Sequence, residues 1–403
     1  MSFADFMALA LYHPTFGYYC QKDFAIGREG DFVTAPELSP LFAMCLAKPC
    51  QQLIEHARDT AILELGAGTG RLALELLCTL HASNASPKHY YIYEMSEHLR
   101  EAQRTLIAAH KPAFLKNITW LTVLPAHFKG MIIANEVLDA IPVHCFCIEE
   151  NNKIQERYIT INACSKPPSP GGGGGGLRWR NQDRIHLTPE AMVPPHPSHH
   201  PEGEGGFEQT FIWHHADPHS QVFDAEIKRL QTTYALPTPY ASEINLNLVA
   251  FIQQLSTMLT EGILLFADYG YGEREYYHPA RNLGTLACFY KHHHHDNPLL
   301  LPGKQDITAH VNFTRIAELA TTQGLALSGY TSQTAFLLDC GLLQLAEEKQ
   351  KHLTTAQIFE MNQAIKTLTW PTEMGERIKM IALNKNCDLP LLGFRSRDYR
   401  RML

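Results

Sequence analysis

Short hydrophobic runs alternate with amphipathic segments in the first third of the chain. The run AILEL at 61–65 is typical of a buried strand, and the segment 71–80 has leucines at helical spacing. A second apolar run, HYYIYE, ends at Glu94, and Ser96 is a favourable cap for the helix that follows it. This order of strand, helix, strand and helix predicts the beginning of an α/β domain.

The same alternation continues further along the chain. Strands are predicted from Ile118, Met131 and Gly262, and the helix before the last of them carries apolar residues at helical spacing between 248 and 259. Strands that alternate with helices build a mostly parallel sheet with helices on both faces. The predicted fold class is therefore α/β, with a Rossmann-like sheet.

Two regions interrupt this pattern and define the predicted domain organisation. The six glycines Gly171–Gly176 and the Pro/His-rich stretch 194–206 have too few apolar residues to pack a core, so we expect mobile loops in a polar or β-hairpin insertion. The predicted units are an N-terminal helical cap or lid at 1–55, the first part of the nucleotide-binding core at 56–148, the insertion at 149–240, and the rest of the core with substrate-side elements at 241–403.

Charge and cysteine content narrow the classes of function. The chain has 403 residues and a formal net charge of -7, without the basic excess that binding to nucleic acid usually requires. Its ten cysteines form no CxxC pair, which favours a reducing compartment. No apolar run approaches the ~20 residues of a membrane span, and the N-terminus lacks the basic region of a secretion signal. We therefore expect a cytoplasmic protein that binds neither nucleic acid nor membrane.

The stretch LELGAGTGRL predicts a nucleotide site. A strand, a glycine turn and a helix N-terminus present unpaired backbone N–H groups to an anionic or polar ligand. The glycines fall at Gly66, Gly68 and Gly70, not at the GxGxxG spacing of dinucleotide-binding proteins, and Glu64 lies two residues before the first of them. This pattern resembles the first motif of class I methyltransferases, which use S-adenosylmethionine (SAM).

Each residue of this motif has an expected role. The glycines let the backbone approach the methionine part of SAM, Glu64 can serve its ammonium group, and Glu94 can accept both ribose hydroxyls. An ordinary helix-packing turn and a nucleotide-dependent oxidoreductase are the alternatives. The predicted cofactor-binding residues in this part of the chain are Glu64, Gly66, Ala67, Gly68, Gly70 and Glu94.

Two acidic stretches follow later strands and are candidates for the methyl-acceptor site. ANEVLDAIP offers Asn135, Glu136 and Asp139, and FADYGYGE offers Asp268. Glu136 and Asp139 could hold a guanidinium through paired hydrogen bonds. The structural alternative is that Asn135 caps a turn and Asp268 closes its strand loop. ANEVLD also lacks the Pro-Pro-aromatic stretch expected of an enzyme that methylates a nucleobase or a glutamine amide.

Nine segments together resemble the MidA family, which includes the SAM-dependent protein arginine methyltransferase that acts in mitochondrial complex I assembly. The resemblance covers nearly the whole chain. The segments are YHPTFGYY from Tyr12, GDFVTAPELSPLF from Gly30, LELGAGTGRL from Leu63, YEMSEHLR from Tyr93, ANEVLDAIPVHCF from Ala134, LLFADYGYGE from Leu264, GTLACFYKHHHHDNPL from Gly284, DITAHVNF from Asp306 and MGERIKMIAL from Met374.

The resemblance implies a class I methyltransferase fold with an N-terminal cap, a SAM cofactor and a protein arginine as the methyl acceptor. It adds Asp31, Thr34 and Glu37 to the residues expected to line the cofactor site. The family's GEIxEISP-like segment is replaced here by ASEINLN, so Glu243 takes the place of its acidic residue with altered neighbours. The glycine run and the His-rich loop are not family features.

The resulting hypothesis is SAM-dependent methylation of an arginine in a partner protein, with a respiratory-complex-type subunit as one candidate. A SAM-binding assembly factor without turnover and a small-molecule methyltransferase are the alternatives. The sequence indicates neither the oligomeric state nor the identity of the partner.

The remaining histidines predict no metal site. The run His292–His295 favours a solvated or acceptor-facing loop, because four consecutive histidines cannot all face one ion. His310 either reaches the site or is a satisfied capping or core residue.

Overall fold

The computed structural model of the chain describes residues 1–21, 27, 33–57, 59–164, 208–291 and 293–403. Twelve α-helices occur within these residues. They are α1 (Phe3–Tyr12), α2 (Ala35–Leu38), α3 (Pro40–His56), α4 (Arg71–Ala82), α5 (Glu97–His110), α6 (Gln221–Tyr234), α7 (Asn247–Met258), α8 (Glu273–Tyr276), α9 (Phe313–Thr322), α10 (Gln333–Asp339), α11 (Leu342–Gln350) and α12 (Thr355–Thr369).

The same part of the chain forms fifteen strands. They are β1 (Ala61–Leu65), β2 (Tyr90–Tyr93), β3 (Ile118–Leu121), β4 (Phe128–Asn135), β5 (His144–Ile148), β6 (Ile154–Cys164), β7 (Glu208–Ala216), β8 (Tyr240–Ile244), β9 (Leu259–Tyr271), β10 (Ala287–Tyr290), β11 (His293–His295), β12 (Asp306–Thr308), β13 (Val311–Asn312), β14 (Ala326–Ser332) and β15 (Ile378–Lys385).

The central sheet has the order β14-β15-β9-β4-β1-β2-β3, and β13 pairs with β9 outside this path. β3, β2, β1, β4 and β9 run parallel to one another, whereas β15 is antiparallel to both β9 and β14. The predicted mostly parallel sheet is confirmed. Its parallel strands bring the loops after β1, β2, β4 and β9 to one edge, where open α/β sheets bind ligands.

Helices cover both faces of this sheet, as its buried strands require. Ile62 and Leu63 are adjacent in β1, yet their side chains lie in different cores because successive residues of a strand point to opposite faces. The core on the Ile62 side includes residues of α3, α4 and α10, and the core on the Leu63 side includes residues of α7 and α9.

A second, antiparallel sheet has the order β7-β6-β5-β8. One face packs against α1 through Phe3 and Phe6, and the other packs against α6 through Phe223 and Ile227. The predicted β-hairpin in the insertion corresponds to the antiparallel pair β6–β7. The runs Gly171–Gly176 and 194–206 lie outside the described residues.

The observed units differ from the predicted boundaries at two places. β5 and β8 belong to the antiparallel sheet although they extend outside the predicted insertion at 149–240. Within the predicted cap at 1–55, α1 packs on that sheet, whereas α3 contributes to the main core. The remaining strands form a third sheet with the order β11-β10-β12.

None of the described helices has the length and apolar character needed to cross a bilayer.

Candidate cofactor and acceptor site

A cavity of about 340 Å³ lies at the carboxyl edge of the central sheet. Its walls include the glycine loop after β1 and residues that follow β2 and β4. Gly66, Gly68 and Gly70 have φ values of 63°, 52° and 85°, a region that favours glycine over residues with a Cβ atom. The loop therefore leaves its backbone open to a ligand at the N-terminus of α4, as predicted for a nucleotide site.

Glu64 lines this cavity from the end of β1, and its side chain is buried. The Tyr90 hydroxyl donates a hydrogen bond to Glu64 Oε2 over 2.6 Å. Burial raises the pKa of Glu64 to about 7, against the opposing effect of that hydrogen bond. A cationic group bound here would favour the ionised carboxylate.

Glu94 follows β2 and is fixed by two donors. Its Oε1 accepts the Ser96 N–H over 3.0 Å, and its Oε2 lies 3.4 Å from Gln103 Nε2. Gln103 also donates to the Gly68 carbonyl over 2.9 Å, so a single buried amide links Glu94 to the glycine loop. Sequence reasoning missed Gln103, although a polar residue among the apolar positions of a predicted amphipathic helix is a visible signal.

The segment before α3 covers the cavity. Thr34 and Glu37 both line it, and the Thr69 hydroxyl of the glycine loop donates to Glu37 Oε1. The Ala35 N–H donates to Glu136 Oε1 over 3.3 Å, so α2 contacts both the cofactor loop and the turn after β4. Asp31, predicted from the family resemblance, lies outside the described residues.

A second cavity of about 690 Å³ adjoins the first, and both are lined by Tyr19 and Glu136. Asp139 and Asp306 also line the second cavity. Of the described residues on its walls, Arg377 alone carries a permanent positive charge. The carboxyl groups therefore outnumber the fixed cations, and this cavity favours a cationic ligand.

The turn that bears Glu136 and Asp139 is held by Asp268. Glu136 has φ = 52°, and Asp268 Oδ2 accepts the N–H groups of Val137 and Leu138 over 3.0 and 2.7 Å. The N–H of Asp139 lies 3.4 Å from the same oxygen. Asp268 Oδ1 accepts the N–H of Tyr269. Both oxygens of Asp268 thus bind backbone, and its side chain is buried behind the turn.

This placement corrects the grouping of Asp268 with the residues that line the acceptor site. Asp268 lies on neither of the two cavity walls, and its hydrogen bonds make it a positioning residue.

Asn135, unlike Asp268, does lie on a cavity wall, so the alternative in which it only caps a turn does not describe its position. Asn135 lines the first cavity, its Nδ2 donates to Glu136 Oε1, and its buried Oδ1 has no hydrogen-bond partner among the described residues.

The buried carboxyl groups affect one another's ionisation. Burial, followed by the nearby charge of Asp268, raises the pKa of Glu136 to about 8. The same two causes, joined by Asp306 and Glu136, raise the pKa of Asp139 well above its ordinary value. Burial raises the pKa of Asp268 to about 7. Without a cation the cluster retains protons near neutral pH, and a bound cation would release them.

Asp306 and Tyr19 complete the second cavity and were not predicted from the residues themselves. The Tyr19 hydroxyl donates to Asp306 Oδ1 over 2.7 Å, which joins the N-terminal segment to β12. The family segment DITAHVNF begins at Asp306 and was the available signal.

His310 reaches the wall of this cavity, which decides between its two predicted roles. Its ring stacks on Tyr271 with 5.3 Å between centroids. Burial, with a smaller effect of Arg281, lowers the pKa of His310 to about 4. The ring is therefore neutral near pH 7 and adds no positive charge that would repel a cation.

Glu243 and the histidine run have different positions. Glu243 is buried in β8 and accepts the N–H and the hydroxyl of Thr285, so it holds the loop before β10 and does not line either cavity. His292 lies outside the described residues, but His293–His295 form β11, and His294 lines the second cavity. The predicted loop is therefore a strand at these three residues, although His294 does lie on the wall of the cavity expected to take the acceptor.

Comparisons with known proteins agree with this geometry. A crystal structure from Burkholderia thailandensis with bound S-adenosyl-homocysteine is 32% identical, covers 100% of this chain and 92% of its own, and superposes with a TM-score of 0.82. Two relatives are named "Protein arginine methyltransferase NDUFAF7, mitochondrial". The Homo sapiens protein is 26% identical over 94% of this chain and 79% of its own length, and the Danio rerio protein is 24% identical over 98% and 88%.

The family model described as "Putative S-adenosyl-L-methionine-dependent methyltransferase" matches residues 42–331, well over half of the chain. The predicted SAM cofactor and the resemblance on which it partly rested are confirmed. The chain belongs to this family of SAM-dependent methyltransferases.

Proposed function

We propose that this methyltransferase transfers a methyl group from SAM to an arginine side chain of a partner protein. The observation that carries the proposal is the carboxyl cluster of half-buried Glu136 with buried Asp139 and Asp306, in a cavity that adjoins the cofactor cavity. A guanidinium is a planar cation whose paired N–H groups match carboxylates. The printed names of the relatives, which are protein arginine methyltransferases, support the same substrate class.

In this proposal the first cavity holds SAM. The backbone of Gly66, Ala67, Gly68 and Gly70 lies against its methionine part, and Glu64 accepts from its ammonium group directly or through water. Glu94 Oε1 and Oε2 accept from the ribose hydroxyls, in the orientation that Ser96 and Gln103 fix. Thr34 and Glu37 close the cavity from above the glycine loop.

The second cavity holds the arginine. Glu136 and Asp139 accept from the guanidinium N–H groups, and the free Oδ1 of Asn135 is a further acceptor beside the methyl group. One terminal nitrogen of the guanidinium forms the new N–C bond while the S–C bond breaks and its electron pair stays on sulfur. The proton lost from that nitrogen passes to a carboxylate of the cluster. Both carboxylates keep the positive charge away from the attacking nitrogen.

The cellular location stays a prediction. We propose the cytoplasm on the basis of cysteine content, whereas the names of the relatives describe mitochondrial proteins.

The cofactor assignment predicts the effect of removing the Glu94 carboxylate. Glu94→Ala should weaken binding of S-adenosylhomocysteine by about tenfold or more, because two charge-assisted hydrogen bonds are lost. Calorimetric titration of the purified chain measures this affinity. The control is Glu97→Ala, which removes an exposed carboxylate three residues later and should leave the affinity unchanged. Equal affinities of Glu94→Ala and wild type would refute the ribose contact.

The acceptor assignment predicts both the product and the residues required to make it. Protein extract from cells of the source organism that lack this gene is incubated with the enzyme and methyl-labelled SAM, and the labelled proteins are hydrolysed to amino acids. We expect methylarginine. Glu136→Gln and Asp139→Asn should each reduce its formation by about 100-fold, while S-adenosylhomocysteine affinity should change little in Asp139→Asn.

The matched control for these variants is Glu275→Gln, which changes an exposed carboxyl group in α8 that lines neither cavity. Label in a different amino acid would overturn the arginine proposal, and label in small molecules alone would favour the small-molecule alternative. Binding of S-adenosylhomocysteine without any labelled product would favour an assembly factor.

The raised pKa of Glu136 predicts a pH dependence of stability. Its folded-state pKa of about 8 exceeds the ordinary 4.5, so the folded protein holds this proton more tightly than the unfolded chain. This contribution to the free energy of unfolding is complete below about pH 4.5 and is lost as the pH rises through about 8. Glu136→Gln removes it. Relative to that variant, wild type should lose stability between pH 5 and pH 8.5.

Urea unfolding of both proteins without ligand at the two pH values measures this difference. Glu275→Gln serves again as the exposed control and should follow wild type at both pH values. A constant stability difference between wild type and Glu136→Gln would mean that Glu136 does not retain its proton in the folded state.

A further inference from the structure

Three potential metal ligands meet in the antiparallel sheet, outside both cavities. His144 begins β5, Glu156 lies in β6, and His219 directly precedes Ser220, the N-cap of α6. One ligand atom from each of these three residues lies within 4.8 Å of the other two. The cluster unites two consecutive strands with a helix start that lies 63 positions after Glu156.

Glu156 is fully buried, but only one of its two carboxylate oxygens has hydrogen-bond partners among the described residues. Its Oε2 accepts the Tyr158 hydroxyl over 2.7 Å and the His219 N–H over 3.0 Å, and it lies 2.6 Å from His219 Nδ1. Its Oε1 has no hydrogen-bond partner among the described residues, and the same is true of the buried Nδ1 of His144. Buried polar atoms without partners are unfavourable, so these two atoms point to a missing ligand.

We propose that His144, Glu156 and His219 bind a divalent transition-metal ion of the zinc type. Two imidazoles and one carboxylate are a recurrent zinc donor set, whereas Mg²⁺ and Ca²⁺ prefer oxygen ligands. The side chain of His219 is 40% exposed, which leaves a route for the ion and room for water as a fourth ligand.

The geometry requires one local change. Two ligands of a tetrahedral zinc ion are separated by about 3.3 Å, given bonds of about 2.0–2.1 Å. His219 Nδ1, now 2.6 Å from Glu156 Oε2, must therefore give up this contact and lie about 3.3 Å from the ligating Oε1. His219 lies on the chain outside regular structure and is partly exposed, so its ring can make this movement.

The ion would have a structural role. It would join β5, β6 and the start of α6, and α6 packs against the same face of the sheet through Phe223 and Ile227. His144 and His219 already stack with 5.3 Å between ring centroids, and both contact the Phe223 ring. None of the three ligands lines the cofactor or the acceptor cavity.

Zinc titration of the full, chelator-treated chain tests the proposal. We expect one high-affinity equivalent by calorimetry and a rise of several degrees in the thermal midpoint, since the ion binds the folded state. Glu156→Gln and His219→Asn should each weaken this site by about 100-fold and remove the rise in midpoint. Co²⁺ should give the visible absorption of a tetrahedral site in wild type but not in the variants.

The matched control is His293→Asn with His295→Asn, which removes two histidines of β11 and should retain the high-affinity equivalent. Because Glu156 is buried and its variant could fail to fold, His219→Asn, at a partly exposed position, decides the outcome in that case. Unchanged zinc affinity and midpoint shift in His219→Asn would overturn the proposal. The absence of a high-affinity equivalent in wild type would also overturn the proposal and would leave His219 and Glu156 as a hydrogen-bonded pair.

Discussion

The hydrogen bonds from the turn after β4 to Asp268 hold the site together. Asp268 Oδ2 accepts from Val137 and Leu138 at 3.0 and 2.7 Å, and this anchors a turn in which Glu136 has a positive φ. Such a conformation costs a non-glycine residue about 1–3 kcal/mol and persists only where its surroundings determine it. Glu136 consequently lies at the wall shared by the two cavities, where a methyl group would cross from cofactor to acceptor.

The same arrangement explains how an acidic pocket can be stable without a ligand. The four neighbouring carboxyl groups, of half-buried Glu136 and of buried Asp139, Asp268 and Asp306, could not all ionise in a low dielectric without a large electrostatic cost. The raised pKa values of the first three allow protons to provide the compensation. A guanidinium can replace those protons and compensate the charge of the carboxylates. The pocket is therefore selective for a cation.

Local sequence patterns were sufficient for the five parallel strands of the central sheet and for the cofactor loop, but not for the antiparallel strands β14 and β15. The apolar runs at 61–65 and 90–93 and the glycines after β1 each determine structure through short-range periodicity and backbone freedom. Asp268 could not be assigned in this way, because its partners lie about 130 residues earlier and meet it only when β9 pairs with β4. Asp306 meets Tyr19 from 287 positions along the chain, and His219 meets Glu156 from 63 positions along it, so these contacts depend on tertiary packing that periodicity does not specify.

Substitution of Asp268 tests most directly whether this buried carboxylate organises the acceptor site. In Asp268→Asn, the amide oxygen can still accept from the turn, but the amide nitrogen would face the N–H of Tyr269 and the negative charge is lost. The measurement is methyl transfer to arginine alongside affinity for S-adenosylhomocysteine. We expect the affinity to stay within about threefold of wild type and transfer to fall by about tenfold or more, because Glu136 and Asp139 lose their alignment. Transfer at the wild-type rate would contradict the account.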